Sequence, residues 1–430
     1  GRQAAVGRWR SAGGGRQVAV GRGLAVRILF SHQNYPAQFG AFGAWLATRG
    51  WDVTFATAKE GAEPPRGCRM IRMAPHRSVT EGVHRFASGH EQAMINAQGF
   101  ANAAIRAREM GFVPDIVVAH SGWGSGTFAK AVWPETRFVA YAEWWYRYPP
   151  VDDLGTPPRS TLEDARAHAL ARNAPLLLDL AIADAAFCPT EFQAAQFPDH
   201  VRARLTVMHD GVDTATDAPG EAVALGGAGE PLPADAEVVT YATRGMEPHR
   251  GFPEFMRALA LLQARRPRLH AVIGGEDRVA YGARLPEGES WKARMLAECA
   301  IDPARTHFRG PLPRGAYRRL LQSSDVHVYL TVPFVLSWSM IEAMSIACPL
   351  VASDVEPVRE AVRDGVEARL VDHADIEALA GAIEALLDDR DAARRLGAAA
   401  RRTAIARYAR DWLWPARADL LDRVARGETG

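Results

Sequence analysis

An α/β architecture with two doubly wound halves follows from three features of the sequence. Short β-branched and apolar runs alternate with longer amphipathic ones, the pattern of a parallel sheet covered by helices. The alternation runs through twice, on either side of a Gly-, Pro- and Ala-rich break at residues 214–237. A chain of 430 residues also exceeds the roughly 250–300 at which a single core stops growing, so two domains are expected.

Up to Arg27 the chain carries six arginines and no acid in a Gly-, Ala- and Val-rich background. No apolar run there is long enough for a signal peptide, and residues 1–25 are expected to be disordered. Because "VRILFSH" is the first strand, the natural start is expected at Val26, from a non-ATG codon, with 1–25 an artefact of the gene boundary. A basic arm for anionic lipid is the rival reading.

Residues 26–215 form the expected N-terminal domain. Its strands are "VRILFSH", "WDVTFAT", "DIVVAH", "RFVAYA", "AAFCPT" and "LTVMHDG", and Ser160-x-x-Glu163 and Thr190-x-x-Gln193 fit capping boxes at helix starts. Residues 216–237, aperiodic and rich in Gly and Pro, read as a linker. The C-terminal domain, 238–405, repeats the cycle with "EVVTYAT", "LHAVIGG", "THFRG", "DVHVYLTV", "PLVASD" and "ARLVD". Between its later strands, Ile376, Leu379, Ala380, Ile383, Leu386 and Leu387 make an apolar stripe at helical spacing. An amphipathic helix over 406–430 follows once the second sheet is complete and is expected to pack back on the N-terminal domain; a partner-binding helix is the alternative.

Composition excludes several classes. A net charge of +1 makes no electrostatic case for a nucleic-acid partner. Cys68, Cys188, Cys299 and Cys348 stand far apart without metal spacing, so they are read as free thiols in a reducing compartment, and the location as cytoplasmic. The longest apolar stretch, 174–187, is interrupted by Asp179 and Asp184 and is too short to span a bilayer. No P-loop, GxGxxG, HExxH or GxSxG is present, which weakens kinase, dehydrogenase, metalloprotease and serine-hydrolase readings.

Doubly wound sheets hold ligands beyond the carboxyl ends of their strands, so the loops that follow strands carry the chemistry. Four stand out: "HQNYPAQFG", "AHSGWGSG", "TRGMEPHRG" and "PFVLSWSMIEAMS". In the third, Arg244 and Arg250 flank a turn where guanidinium forks suit a diphosphate, although solvated loop arginines would look the same. His120 ends a strand beside glycines that permit close backbone approach, and a satisfied structural histidine is the bland alternative. In the fourth, Ser337 is a candidate N-cap for a helix "WSMIEAMSIAC" whose free N–H groups suit an anion. Glu342 lies one turn in, either facing a ribose or pairing with an arginine.

From Val26 to Val424 the order and spacing of "RILFSHQNYPAQFG", "PDIVVAHSGWG", "CPTEFQAAQFP", "MHDGVD", Arg244/Arg250, "HFRGPLP" and "SMIEAMSIACPLVASDVEPVREAVRDG" resemble a family 4 glycosyltransferase. The resemblance implies a GT-B fold, two Rossmann-like domains facing a central cleft. It implies retaining, metal-independent transfer from a nucleotide-sugar donor, UDP- or GDP-linked, to a sugar, lipid-linked or small-molecule acceptor, with no further cofactor. Peripheral membrane contact is compatible with it, and the oligomeric state is not implied.

Carried over by position, Arg244 and Arg250 bind the donor diphosphate, and Glu342 is the second acid of E-x7-E, on the ribose. His120 lies near the donor sugar, and Ser337 and Ser339 open the phosphate-facing helix. Gly40 lies in a loop facing the phosphates, and Arg309 falls where backbone contacts the base. Two departures stand out. The first acid of E-x7-E is replaced by Phe334, in a stretch "PFVLSWS" that resembles a recurrent variant of one branch of the superfamily. The usual basic position five after the first arginine is His249, with Arg250 one further on. Phe334 motivates one alternative, a non-catalytic sugar-binding or scaffold partner of another transferase; a second alternative, a nucleotide-sugar 2-epimerase, shares the fold and is expected to place further acids and histidines in the cleft.

Overall fold

A computed structural model describes residues 25–152, 161–221 and 232–428. The arginine-rich stretch 1–24, Ser160 and residues 222–231 of the expected linker lie outside the described residues.

Seven parallel strands form the first sheet: β1 (Arg27–Ser31), β2 (Asp52–Thr57), β3 (Arg69–Arg72), β4 (Ile116–His120), β5 (Arg137–Tyr141), β6 (Ala185–Cys188) and β7 (Leu205–Val207). Their order is β3-β2-β1-β4-β5-β6-β7. The second sheet has six, β8 (Glu237–Gly245), β9 (Leu269–Glu276), β10 (Thr306–Phe308), β11 (Val326–Tyr329), β12 (Leu350–Ser353) and β13 (Arg369–Val371), in the order β10-β9-β8-β11-β12-β13. All pairings between these strands are parallel, so both faces of each sheet are covered by helices and the central strands are almost wholly buried. Each expected strand is present. The unexpected one is β3, at the sheet edge, whose "RMIR" has exposed arginines at both ends and two half-buried residues between them instead of forming an apolar run.

Local chemistry sets the helix starts. Thr190 Oγ1 accepts the Gln193 N–H at 3.1 Å, as its capping box predicts. The helix Leu162–Arg172 is capped by Thr161, which accepts the Asp164 N–H, and not by the expected Ser160. The expected stripe buries Leu379, Ala380, Ile383, Leu386 and Leu387 against the second sheet, with Ile376 at its margin.

Beyond β13 the chain crosses back. A helix Arg390–Tyr408 breaks at Ala409, and Arg410–Ala425 places Trp414, Leu421 and Val424 among Ile28, Phe42 and Phe187 of the first half. Trp414 meets the rings of Phe42 and Trp45 at 5.8 Å each. A second tie between halves is Glu360, whose carboxylate accepts the N–H groups of Glu191 and Phe192 at 3.0 and 2.8 Å.

Candidate functional site

In each sheet the strand order reverses once, between β1 and β4 and between β8 and β11, and a crevice opens at such points beyond the strand ends. The four loops singled out from sequence leave these four strands. They face one another across a cleft of about 1490 Å³ that continues into a pocket of about 480 Å³ in the second half. The pocket matches the space a drug-sized ligand needs, and the cleft leaves room for a second molecule.

Arg244, Arg250, Tyr281, Ser337 and Trp338 line both cavities and therefore mark their junction. Arg250 is buried: Nη1 donates to Thr331 Oγ1 at 2.8 Å, and its guanidinium lies 5.1 Å from the Tyr281 ring centre. Arg244 is exposed and its side chain makes no hydrogen bond or ion pair with a described residue, leaving all its donors to a ligand. His249, at the usual basic position, does not line the pocket; its Nε2 lies 3.2 Å from Asp152 Oδ2. Fully buried Glu247 accepts the N–H groups of Ala280, Tyr281 and Gly282 at 2.8–3.2 Å and so fixes the Tyr281 loop. Gly251, at φ +62°, lets the chain turn into the next helix where a Cβ would come 2.5 Å from Leu330 Cβ.

The helix after β11 runs Trp338–Ser345, shorter than expected, and Ser337 is its N-cap. Ser337 Oγ accepts the Ser339 N–H at 3.3 Å and lies 2.8 Å from Ser339 Oγ, so both serines stand at the helix mouth. Glu342 is 6% exposed and lines the pocket. Of the two roles weighed for it the arginine pair is formed: Arg314 Nη1 bonds its Oε1 at 2.8 Å while Nη2 reaches Asp217 Oδ2 at 2.9 Å. Burial pushes the Glu342 carboxyl above the usual range, against the pull of Arg314.

On the cleft side, buried His120 places Nε2 3.3 Å from Glu143 Oε2, and Gln38 Nε2 donates to Glu143 Oε1 at 2.9 Å. Burial would raise the Glu143 carboxyl, but the His120 and Gln38 bonds and the charge of Arg244 outweigh it and hold the group below its usual value. His32 packs edge-on against His120 at 4.8 Å, and burial, with His120 and Arg244, lowers its pKa to about 3. The "HSGWGSG" turn is pinned by Asp179, which accepts Gly122 N–H at 3.0 Å and Thr127 O–H at 2.6 Å. Gly124 sits at φ +79°, where a Cβ would come 1.8 Å from Ala93 O. Phe334 lies among three rings, Trp144 at 4.9 Å, Tyr281 at 5.3 Å and His249 at 5.4 Å.

Six of the eight residues singled out line the cavities: Arg244, Arg250, His120, Glu342, Ser337 and Ser339. Gly40 does not. It is the buried first residue of the helix Gly40–Thr48, and a Cβ there would come 2.4 Å from Pro36 Cβ, so it serves loop packing while residues 32–38 face the cleft. Arg309 is exposed outside the cavities, its N–H spent on Ile273 O at 2.8 Å, and the neighbouring wall is made by Pro311 and Leu312. Unforeseen from sequence are Glu143, Trp144, Tyr281, Arg314 and Glu247. Glu143 and Trp144 follow β5 directly, so the rule that found the other loops also reaches them; nothing local marks Tyr281.

Among the described residues no group of three or more His, Cys, Asp and Glu side chains is placed to hold a metal, and no helix is long and apolar enough to cross a membrane.

Two family models match the chain: glycosyl transferase family 4 group over residues 49–216, and glycosyl transferases group 1 over residues 229–403. A curated D-inositol 3-phosphate glycosyltransferase of Thermomonospora curvata is 31% identical over 52% of this chain and 52% of its own length. The chain thus spans about half the length of the curated relatives it matches at this level. Among solved structures, sucrose-phosphate synthase of Thermosynechococcus elongatus superposes with a TM-score of 0.67 at 18% identity, covering 94% of this chain and all of that one. Anabaena HepE in complex with UDP and glucose gives 0.66 at 16%, covering 92% and 99%. These likenesses bear on the fold, and they match the two facing sheets and central cleft of a GT-B protein. One glycosyltransferase model on each half, together with this fold, gives the chain the two-part organisation of a GT-B, family 4-type glycosyltransferase.

Proposed function

We propose that the protein transfers a sugar, with retention and without a metal ion, from a UDP- or GDP-linked donor to an acceptor hydroxyl. The observation that carries this reading is the position of Arg244 and Arg250 where the 480 Å³ pocket opens into the cleft. A nucleoside in the pocket, its ribose at Glu342, brings its diphosphate to these guanidinium groups and to the Ser337–Ser339 helix mouth. The sugar then projects into the cleft, toward His120.

As the sugar–phosphate bond breaks, its electron pair goes to the diphosphate, and the charges of buried Arg250 and of Arg244 stabilise that oxygen more than they stabilise the intact donor. Such preorganised charge is usually the largest part of the rate enhancement. The acceptor lies mainly against the first half, and closing the cleft around both substrates excludes water. HepE, which shares the fold, binds UDP-glucose, a donor of the class proposed here.

Incubation with a panel of UDP- and GDP-sugars tests this. Slow release of the free nucleotide from one donor, with the anomeric configuration retained once an acceptor is found, is the expected result. Binding without any release favours a scaffold partner, and epimerisation of the donor sugar without acceptor favours an epimerase.

A further inference from the structure

We infer that Glu143 is the carboxylate that faces the donor sugar, taking at the end of β5 the part left without an acid at Phe334. The inference rests on the transfer reading above and identifies the missing acid of that same site. Three observations carry it.

Position comes first. Glu143 lines the cleft with His120, Arg244 and Phe334, on the side that the donor sugar enters from the junction. Trp144, the next residue, has its ring 4.9 Å from that of Phe334, so the β5 loop reaches the place where position 334 stands. The charge of Arg244 also acts on the Glu143 carboxyl.

The second observation is availability. Three of the other carboxylates on the cavity walls are held by arginines, Asp164 by Arg85, Glu276 by Arg278 and Glu342 by Arg314; Asp152, like Glu143, has an imidazole partner, His249, but only Glu143 stands beside His120 and within the field of Arg244. Glu143 has only His120 and Gln38 among the described residues, and its side chain keeps 27% of its surface open. An ionised carboxylate offers about four lone-pair sites, so two remain for sugar hydroxyls.

Third is orientation. The β5 strand end, Gln38 from the β1 loop and His120 from β4 fix the carboxylate from three sides, and Gln193 Nε2 anchors the Glu143 backbone carbonyl at 2.8 Å. Held in this way, the group presents negative charge at no further ordering cost.

In the reaction, the bond from the anomeric carbon to the diphosphate oxygen breaks with its pair going to that oxygen. The acceptor oxygen forms the new bond on the same face, and its proton passes to a diphosphate oxygen. Glu143 exchanges no bond; it accepts hydrogen bonds from the sugar and offsets the positive charge growing at the anomeric carbon.

The test compares wild type, Glu143→Gln and Glu143→Asp by two readouts: affinity for the free nucleoside diphosphate and turnover of the nucleotide sugar. The expected result is a loss of turnover of at least about 100-fold in Glu143→Gln, nucleotide affinity within about threefold of wild type, and partial recovery in Glu143→Asp. Turnover of Glu143→Gln within threefold of wild type overturns the inference, as does a parallel loss of affinity and turnover, which marks a structural role. Should Glu143→Gln not fold, Gln38→Leu frees the carboxylate while keeping its charge; lowered turnover at unchanged affinity supports the inference, and unchanged turnover overturns it. A wild type that neither binds nor turns over any nucleotide sugar defeats the transfer reading itself, a result distinct from all of these.

Discussion

Trp338 Nε1 donates to Asp210 Oδ2 at 3.2 Å, so the first residue of the helix at the cavity junction is bonded to the segment that leaves the first sheet. The same oxygen accepts the Tyr141 O–H at 2.9 Å, Oδ1 accepts Arg417 Nη1 at 3.1 Å, and the Asp210 carbonyl accepts Trp414 Nε1 at 2.8 Å. One buried carboxylate thereby ties β5, the returning C-terminal helix and the donor-side helix.

Removing one partner of a buried ion pair leaves the other charge uncompensated, which costs about 3–5 kcal/mol. Asp210→Ala should therefore lower the unfolding free energy by that order, since Arg417 is only 4% exposed. Trp338→Phe, which drops one neutral donor to a charged acceptor, should cost about 1–2 kcal/mol. Denaturant unfolding of both variants measures the difference, and equal small effects would contradict the network.

Glu342→Gln tests the ribose assignment. A site that bonds a hydroxyl with a charged acceptor discriminates strongly against ligands that lack it. Wild type should prefer a ribonucleoside diphosphate to its deoxyribose analogues by at least about tenfold, and Glu342→Gln should flatten that preference. Equal preference in both proteins, measured by competition binding, would assign Glu342 to the Arg314 pair alone.

Phe334 lines the cleft and is not part of the pocket wall. Phe334→Ala should leave affinity for the free nucleotide within about threefold. Its stability should fall by about 2–3 kcal/mol, because three edge-on ring contacts are lost together with buried area. Thermal unfolding and nucleotide titration of one preparation separate the two effects.

Stability should also depend on pH through His327. This fully buried residue lies 2.8 Å by Nδ1 from Thr240 Oγ1, and burial lowers its pKa to about 4. The unfolded chain binds a proton near pH 6.5 that the folded chain refuses until about pH 4, so stability is present above 6.5 and is lost as pH falls toward 4. Integrated over that window, one such group costs about 3–4 kcal/mol. His209, lowered to about 4, acts in the same direction. His327→Gln should shrink the drop between pH 6.5 and 4, and an unaltered drop in denaturant midpoints would contradict the assignment.

Where the sequence was legible, it was so because burial writes itself into composition. Central strands buried on both faces must be apolar throughout, so β1, β4, β8 and β11 stood out, and with them the four loops that follow. Edge strand β3 escaped because half of its surface meets solvent. Gly40 and Arg309 were carried over by motif position, and the nearest wall residues, Gln38 and Pro311, lie two positions away, a shift that spacing alone does not resolve. Glu143 lay within reach of the same strand-end rule, but its partners His120 and Gln38 are 23 and 105 residues away, so nothing local singles it out. Arg314 joins Glu342 across 28 residues and had no local mark.

The central claim is that a nucleotide-sugar diphosphate lies against Arg244 and Arg250. Calorimetric titration of wild type and Arg244→Ala with UDP, GDP and their sugars addresses it directly. The predicted result is saturable binding of one nucleotide class by wild type, weakened at least about tenfold by Arg244→Ala, with turnover of the sugar donor falling about 100- to 1,000-fold. Unchanged binding and turnover in Arg244→Ala would contradict the account.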